Sequence, residues 1–254
     1  MFVDVHCHLD SNYYNDIDKI IDNAKMNNVN RLIFNGCNKK SNNEVIDLIN
    51  KYDSVYGAVG YHPTELDLVC DSDYGLLENL IRNKKIVAIG EIGLDYHYPD
   101  TDKDRQKYAF RRQLEIAEKY NLPVIIHSRD AIMDTYNIIC EYNIKGVIHC
   151  FSGSVEMARK FIQRGFFISI GGIVTFKNAN NIIKVINDID LSYILLETDS
   201  PYLTPEPFRK NVNEPMYIPV IASKIASIKG ISVDEVRDRT TCNSCELFDF
   251  FRKK

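Results

Sequence analysis

Two histidines stand two residues apart near the start of the chain, in the stretch FVDVHCHLD. Successive side chains of a β-strand point to opposite faces, so His6 and His8 would project to one side and Cys7 to the other. Two imidazoles directed at one point are typical of a metal site. A pair of one packed and one solvated histidine has the same spacing, and the pattern alone leaves both interpretations open.

The chain has 254 residues, of which 45% are hydrophobic. This is enough for one large core, and we expect a single domain over residues 1–254. No run of eighteen apolar residues and no signal peptide is visible, so we expect a soluble, cytoplasmic protein with no membrane partner. Seven scattered cysteines favour reduced thiols over a disulfide framework. The close pair Cys242 and Cys245 is expected to pack on a helix.

The net charge of −4 disfavours a broad surface that would hold duplex DNA electrostatically. A polyanion would have to be bound locally, and bound cations could supply the positive charge that the side chains do not. No sequence feature indicates an obligate protein partner.

Eight short apolar runs rich in Val, Ile and Phe predict strands, and they read MFVDVH, RLIFNG, VYGAVG, KIVAIGE, PVIIH, GVIH, FFISIG and YILLET. Helical segments lie between them. In residues 104–120 the expected apolar face consists of Tyr108, Phe110, Leu114, Ala117 and Tyr120. Strands that alternate with helices predict an α/β fold with a parallel sheet, and eight such units predict a single (β/α)8 TIM-type barrel. A doubly wound open sheet is the alternative, but no G-x-G-x-x-G follows the first strand.

Residues able to bind a metal stand at the predicted strand ends, and four of them are among the six histidines of the chain. In a barrel these ends form the C-terminal rim, where residues distant in sequence meet. We therefore predict a metal site made of His6, His8, Glu91, His127, His149 and Asp199.

Six ligands are too many for one tetrahedral ion, so we predict two divalent ions. Glu91 lies between the first pair and the later histidines, and its two oxygens could bridge both ions. The first ion would be bound by His6, His8, Glu91 and Asp199. The second would be bound by Glu91, His127 and His149. The residue types leave the metal open among Mg²⁺, Mn²⁺ and Zn²⁺.

The sequence resembles the TatD family of metal-dependent deoxyribonucleases, which belongs to the amidohydrolase-like metal barrels. The matching stretches are DVHCHLD, GYHP, GEIGLDYH, HSRDA, HCFSG, LLETDSPYL and NEP, in the family's order between residues 4 and 215. The resemblance implies metal ligation by the same six residues and hydrolysis of DNA, with trimming of single strands from the 3′ end. Tyr61 before HP and the version PFRKNVNEP of the later loop depart from the commonest pattern, which bears on substrate preference.

Three further residues are candidates for binding a substrate phosphate. His62 follows a predicted strand end, although a structural histidine ahead of Pro63 is the alternative. Arg129 stands two residues past His127 and could instead form an ion pair with Asp130 or another carboxylate. Arg209 lies in the proline-rich loop, where a solvated turn charge is an equal alternative.

Two cations at an open rim indicate hydrolysis, with Asp199 as both a ligand and the general base and with Glu91 as the shared catalytic carboxylate. Phosphodiester cleavage in DNA is the first hypothesis. The same apparatus suits acyl chemistry, so a cyclic amidase or an aminoacyl-tRNA deacylase is the second. A structural metal protein is the alternative outside enzymes, and it would need closed coordination.

Overall fold

The structure of the protein is a computed structural model that describes residues 1–8 and 13–250. Within them, strands and helices alternate along the chain. The strands are β1 (Phe2–Cys7), β2 (Val29–Asn35), β3 (Val55–Val59), β4 (Ile86–Asp95), β5 (Val124–Arg129), β6 (Gly146–Ile148), β7 (Phe166–Ile170) and β8 (Ile194–Leu196). The helices are α1 (Ile17–Met26), α2 (Lys39–Lys51), α3 (Asp71–Leu80), α4 (Lys103–Tyr120), α5 (Ile132–Ile139), α6 (Val155–Gln163), α7 (Asn180–Asp188), α8 (Ile218–Lys229) and α9 (Val233–Leu247).

The eight strands belong to one sheet in the order in which they occur along the chain. The pairs β1/β2, β3/β4, β4/β5, β5/β6 and β7/β8 are all parallel. Parallel strands joined by helices in sequential order define a (β/α)8 barrel, which confirms the predicted fold class.

The packing of the chain defines two compact units. Unit 1 comprises residues 1–34, 150–163 and 167–246, and unit 2 comprises residues 35–149, 164–166 and 247–254. Each unit is described separately below, within its described residues. The single domain over residues 1–254 stays a prediction.

In unit 1 the first and last strands of the chain lie side by side. The amide of Asp199 donates to the carbonyl of His6 at 2.9 Å, and the amide of His8 donates to the carbonyl of Ser200 at 2.7 Å. The side chains of β1 and β8 are buried throughout. Helix α8 contributes further apolar residues to this core: Ile218, Ile221, Ala222, Ile225 and Ala226. The ends of β1 and β8 are therefore fixed against each other.

In unit 2, β4 is buried along all ten residues, as expected for a parallel strand covered on both faces. The apolar runs predict that this strand ends at Glu91 and the next at His127, but β4 continues to Asp95 and β5 to Arg129. Gly93 explains the extension. It has φ 144°, and a Cβ on it would lie 2.0 Å from the carbonyl oxygen of His127, so only glycine lets the two strands approach this closely.

Helix α4 forms as predicted, but its apolar face is rotated. Tyr108 is 48% exposed, and its hydroxyl donates to Asp71 at 2.8 Å. Gln106 and Gln113 are buried in its place, because their amides bind backbone groups of residues 61, 63 and 95. An apolar pattern cannot anticipate polar side chains that are buried to satisfy backbone groups.

No single helix in the described part of the chain is long and apolar enough to cross a membrane. The pair Pro215–Lys229 and Val233–Leu247 meets the length and composition criteria only when joined, and it is bent by 111°.

Candidate metal centre

Predicted ligands lie close together within each unit. In unit 1, His6 Nε2 lies 3.0 Å from His8 Nε2. Asp199 Oδ1 lies 3.4 Å from His6 Nε2 and 3.6 Å from His8 Nε2. Leu9 and Asp10, which complete the motif DVHCHLD, lie outside the described residues. Three donor atoms from the ends of β1 and β8 therefore converge, and we call them the His6 cluster.

A buried carboxylate anchors the backbone of the His6 cluster. Asp4 is fully buried and accepts hydrogen bonds from Thr198 Oγ1 at 2.6 Å, from the amide of Thr198 at 3.0 Å and from the amide of His6 at 3.3 Å. Burial raises the pKa of Asp4 well above its usual value, although these hydrogen bonds oppose the shift. Asp4 thus fixes both strand ends that carry the candidate ligands.

In unit 2, the side chain of Glu91 is surrounded by imidazole nitrogens. Its Oε1 lies 2.9 Å from His127 Nδ1, 2.9 Å from His149 Nε2 and 3.4 Å from His62 Nε2. His127 Nδ1 and His149 Nε2 are 3.2 Å apart. We call this group the Glu91 cluster. It contains the predicted ligands Glu91, His127 and His149, and it also includes His62.

Asp95 orients the ring of His127. Its Oδ2 lies 3.2 Å from His127 Nε2, and its Oδ1 accepts the amide of His97 at 2.9 Å. Burial raises the pKa of Asp95, but the hydrogen bonds from these two histidines outweigh it, so the pKa lies below its usual value. Burial likewise lowers the pKa of His127, but its hydrogen bonds to Asp95 and Glu91 outweigh burial and raise it.

The Glu91 cluster fits a cation by its donor chemistry. If His127 donates Nε2–H to Asp95, its Nδ1 carries a lone pair, and this lone pair faces a carboxylate oxygen 2.9 Å away. Two electron-pair donors at that distance need a proton or a metal ion between them. The raised pKa of His127 is consistent with this, since a proton between the two atoms is favoured when no metal ion is bound.

Donor spacing in both clusters also fits a metal. With ligand distances of about 2.0–2.1 Å, the donors of a tetrahedral ion lie roughly 3.3–3.4 Å apart. The three spacings in the His6 cluster are 3.0, 3.4 and 3.6 Å. Ligand atoms of His62, Glu91 and His127 all lie within 4.8 Å of one another. Imidazole and carboxylate donors suit zinc and manganese, and carboxylates also suit magnesium.

The three predicted phosphate-binding residues lie in different settings. His62 is part of the Glu91 cluster, and its Nδ1 is 2.7 Å from Thr64 Oγ1, so its Nε2 is the atom directed at Glu91. Arg129 is exposed at the end of β5 and forms no ion pair within the described residues, and Asp130 contacts His97. Arg209 lies over the ring of Phe176 at 4.1 Å and donates to the carbonyl of Thr204 at 2.9 Å.

Sequence reasoning missed the supporting carboxylates Asp4 and Asp95. The available pattern was strand alternation, because Asp4 shares a face with His6, and Glu91, Gly93 and Asp95 share another. A buried acid two or four residues from a candidate ligand is a natural partner for its ring or backbone.

Comparison with known proteins gives consistent matches over nearly the whole chain. The family model described as TatD related DNase matches residues 3–249. The metal-dependent hydrolase YabD of Bacillus subtilis is 40% identical over 252 residues, covering 98% of this chain and 99% of that protein. The metal-dependent hydrolase YcfH of Escherichia coli K12 is 36% identical over 253 residues, covering 97% and 95%.

Solved structures agree with these matches. The crystal structure of YjjV, a TatD homologue from Escherichia coli K12, superposes with a TM-score of 0.92 at 29% identity and covers 98% of each chain. A hydrolase of the TatD family from Entamoeba histolytica gives 0.86 at 27% identity, covering 97% of each chain. Barrel, donor clusters and relatives together define a metal-dependent hydrolase. The chain belongs to the TatD family.

Proposed function

We propose that this hydrolase cleaves phosphodiester bonds of DNA, removing nucleotides from the 3′ end of single strands with the help of two divalent ions. The observation that carries the proposal is the pair of donor clusters in a chain whose family model is described as TatD related DNase. Among the ester and amide bonds that such ions can activate, the family description favours the phosphodiester of DNA.

The proposal assigns one ion to the His6 cluster and the other to the Glu91 cluster. His6, His8 and Asp199 would bind the first, and Glu91, His127 and His149 the second. The sharing of Glu91 between both ions follows from the sequence argument on strand ends and is part of the proposal. Mg²⁺, Mn²⁺ and Zn²⁺ all remain suitable for these donors.

The ions would supply Lewis acidity, which lowers the pKa of water and offsets charge on the phosphoryl group. Asp199 accepts a proton from the attacking water at its carboxylate and passes it to the leaving oxygen. His62 donates a hydrogen bond through Nε2 to a phosphoryl oxygen. Arg129, exposed at the end of β5, and Arg209 bind more distant phosphates of the strand.

The test is hydrolysis of a single-stranded oligonucleotide labelled at its 5′ end by metal-stripped protein supplied with Mg²⁺, Mn²⁺ or Zn²⁺ in turn. Removal of nucleotides from the 3′ end gives a ladder that shortens with time, whereas internal cleavage gives discrete fragments at once. We expect the ladder, and we expect chelation to abolish it, because the side chains alone do not generate the nucleophile.

Two variants provide a matched control. His127→Ala removes a donor of the Glu91 cluster and should abolish the ladder. His97→Ala removes an exposed histidine that contacts Asp130, and it should leave the ladder unchanged. The proposal fails if no metal supports cleavage of DNA while an aminoacyl ester or a cyclic amide is hydrolysed, or if cleavage persists when elemental analysis finds no metal.

A further inference from the structure

Two exposed tyrosines lie next to the His6 cluster in unit 1. Tyr202 is 47% exposed and Tyr13 is 46% exposed. Their rings meet edge to face, with centroids 5.7 Å apart and an interplanar angle of 76°. The ring of Tyr202 also lies 6.5 Å from that of His8. A row of three rings therefore leads from a candidate metal ligand outward to solvent.

A buried asparagine holds this row in place. Asn213 has no exposed surface, and its Nδ2 donates to the carbonyl of Thr198 at 2.8 Å and to the carbonyl of Tyr202. The backbone carbonyl of Asn213 accepts a hydrogen bond from the hydroxyl of Tyr14, the residue after Tyr13. One side chain and its backbone thus connect both tyrosine segments to the end of β8, which also carries Asp199.

The backbone around Tyr202 adds a second connection. The amide of Tyr202 donates to the carbonyl of Asp199 at 2.9 Å, so the backbone of Tyr202 is bonded to a candidate ligand three residues before it. Large rings fixed in an exposed position present a ready contact surface, because little conformational entropy is lost when a ligand binds them.

The charge of the chain indicates what such a surface binds. With 31 basic and 35 acidic residues, the protein has no overall attraction for a polyanion. Aromatic side chains on which bases stack bind single strands without regard to sequence, because every base has a π-face. Stacking beside the His6 cluster would supply the affinity that the net charge does not.

We propose that Tyr202 and Tyr13 form a stacking surface for the bases next to the phosphate that is cleaved, and that Asn213 is the positioning residue of this surface. The inference rests on the proposed function, since it takes single-stranded DNA as the ligand. It goes further by assigning a base-binding subsite to residues outside the metal clusters.

The test compares two oligonucleotides of equal length and charge, one with normal bases and one with abasic residues at its 3′ end. Both carry phosphorothioate linkages that slow hydrolysis, and binding is measured by fluorescence anisotropy. Tyr202→Ala should weaken binding of the normal strand by about 5- to 150-fold, the range for loss of a stacked base. The abasic strand should change by less than about twofold.

Two further variants separate stacking from other effects. Tyr202→Phe keeps the ring and should bind the normal strand like the parent protein. Tyr193→Ala removes another tyrosine, which is 40% exposed and lies just before β8. It should change the binding of neither oligonucleotide. The inference is overturned if Tyr202→Phe and Tyr202→Ala lose affinity for the normal strand equally. It is also overturned if Tyr202→Ala weakens binding of the normal and the abasic strand alike.

The two proposals fail in different ways. If the parent protein prefers the normal strand through Tyr202 but hydrolyses neither, the stacking surface stands and the nuclease proposal is wrong. If the parent protein trims DNA and Tyr202→Ala trims and binds it equally well, the nuclease proposal stands and the stacking surface is wrong.

Discussion

Asp199→Asn separates the two roles proposed for this residue, metal ligand and general base. Asp199 has φ 56°, in the left-handed region, and aspartate and asparagine are the side chains that best tolerate it after glycine. The substitution therefore preserves the backbone and its hydrogen bond to the carbonyl of His6. Asparagine keeps one oxygen that can bind a metal but cannot accept a proton at neutral pH.

We expect Asp199→Asn to lose turnover only because it cannot accept the proton. Removal of a general base lowers turnover by about 10²–10⁴, and we expect the Michaelis constant to change little because the ions and other side chains hold the phosphate. Asp199→Ala provides the contrast. Alanine has a Cβ but no polar group that can hydrogen-bond locally, so at this positive φ it lowers the stability of the folded state by roughly 1–2 kcal/mol. This corresponds to a Tm about 2–8 °C lower for a chain of this size.

The assay measures metal content, turnover and Tm on the same preparations of the parent protein and both variants. Loss of metal would imitate loss of the base, so turnover is interpreted only where elemental analysis shows equal occupancy. An Asn variant with full metal content and near-normal turnover would refute the role of Asp199 in proton transfer and would leave it as a ligand only. A lower Tm for Asn than for Ala would contradict the backbone argument.

Three other substitutions test the assignment of the clusters. Glu91→Ala should remove more metal than His6→Ala in elemental analysis, since the proposal gives both ions a bond to Glu91; the reverse order would show that Glu91 is not shared. His62→Ala should raise the Michaelis constant more than it lowers turnover, and unchanged steady-state kinetics with intact folding would make this histidine structural. Asp95→Asn should weaken metal binding by about 10- to 100-fold in calorimetric titration, because the ring of His127 loses its fixed orientation, and unaltered affinity would exclude that role.

The fold was predictable from the sequence because each strand is a short apolar run and each crossover has helical periodicity. Parallel strands in a barrel are buried on both faces, so runs such as KIVAIGE stand out from the amphipathic segments between them. Strand boundaries were less predictable. The apolar run KIVAIGE predicts a strand end at Glu91, whereas Gly93 serves a close strand contact, and Ile92 and Leu94 continue the burial of β4.

The candidate site was predictable where a ligand type coincides with the end of a strand, and less so where a residue acts through another. His6, Glu91 and His127 carry side chains whose chemistry is visible in the sequence. Nothing in the sequence distinguishes Asp95 from other acidic residues. Only the extension of β4 to Asp95 places it on the same face as Glu91 and within reach of His127 Nε2.

The contact between Tyr13 and Tyr202 could not be predicted from the sequence for a different reason. Tyr13 and Tyr202 are 189 positions apart, and neither belongs to a periodic apolar pattern that would assign it to the core or to the surface. Their meeting depends on Asn213, whose side chain contacts residues on the carboxyl side of β8 and whose carbonyl accepts Tyr14. Contacts of this kind are set by loop hydrogen bonds between segments distant in sequence, which carry no periodicity. The same bonds make the surface testable, since Asn213→Ala removes the side-chain bonds to the carbonyls of Thr198 and Tyr202 and should move the ring of Tyr202.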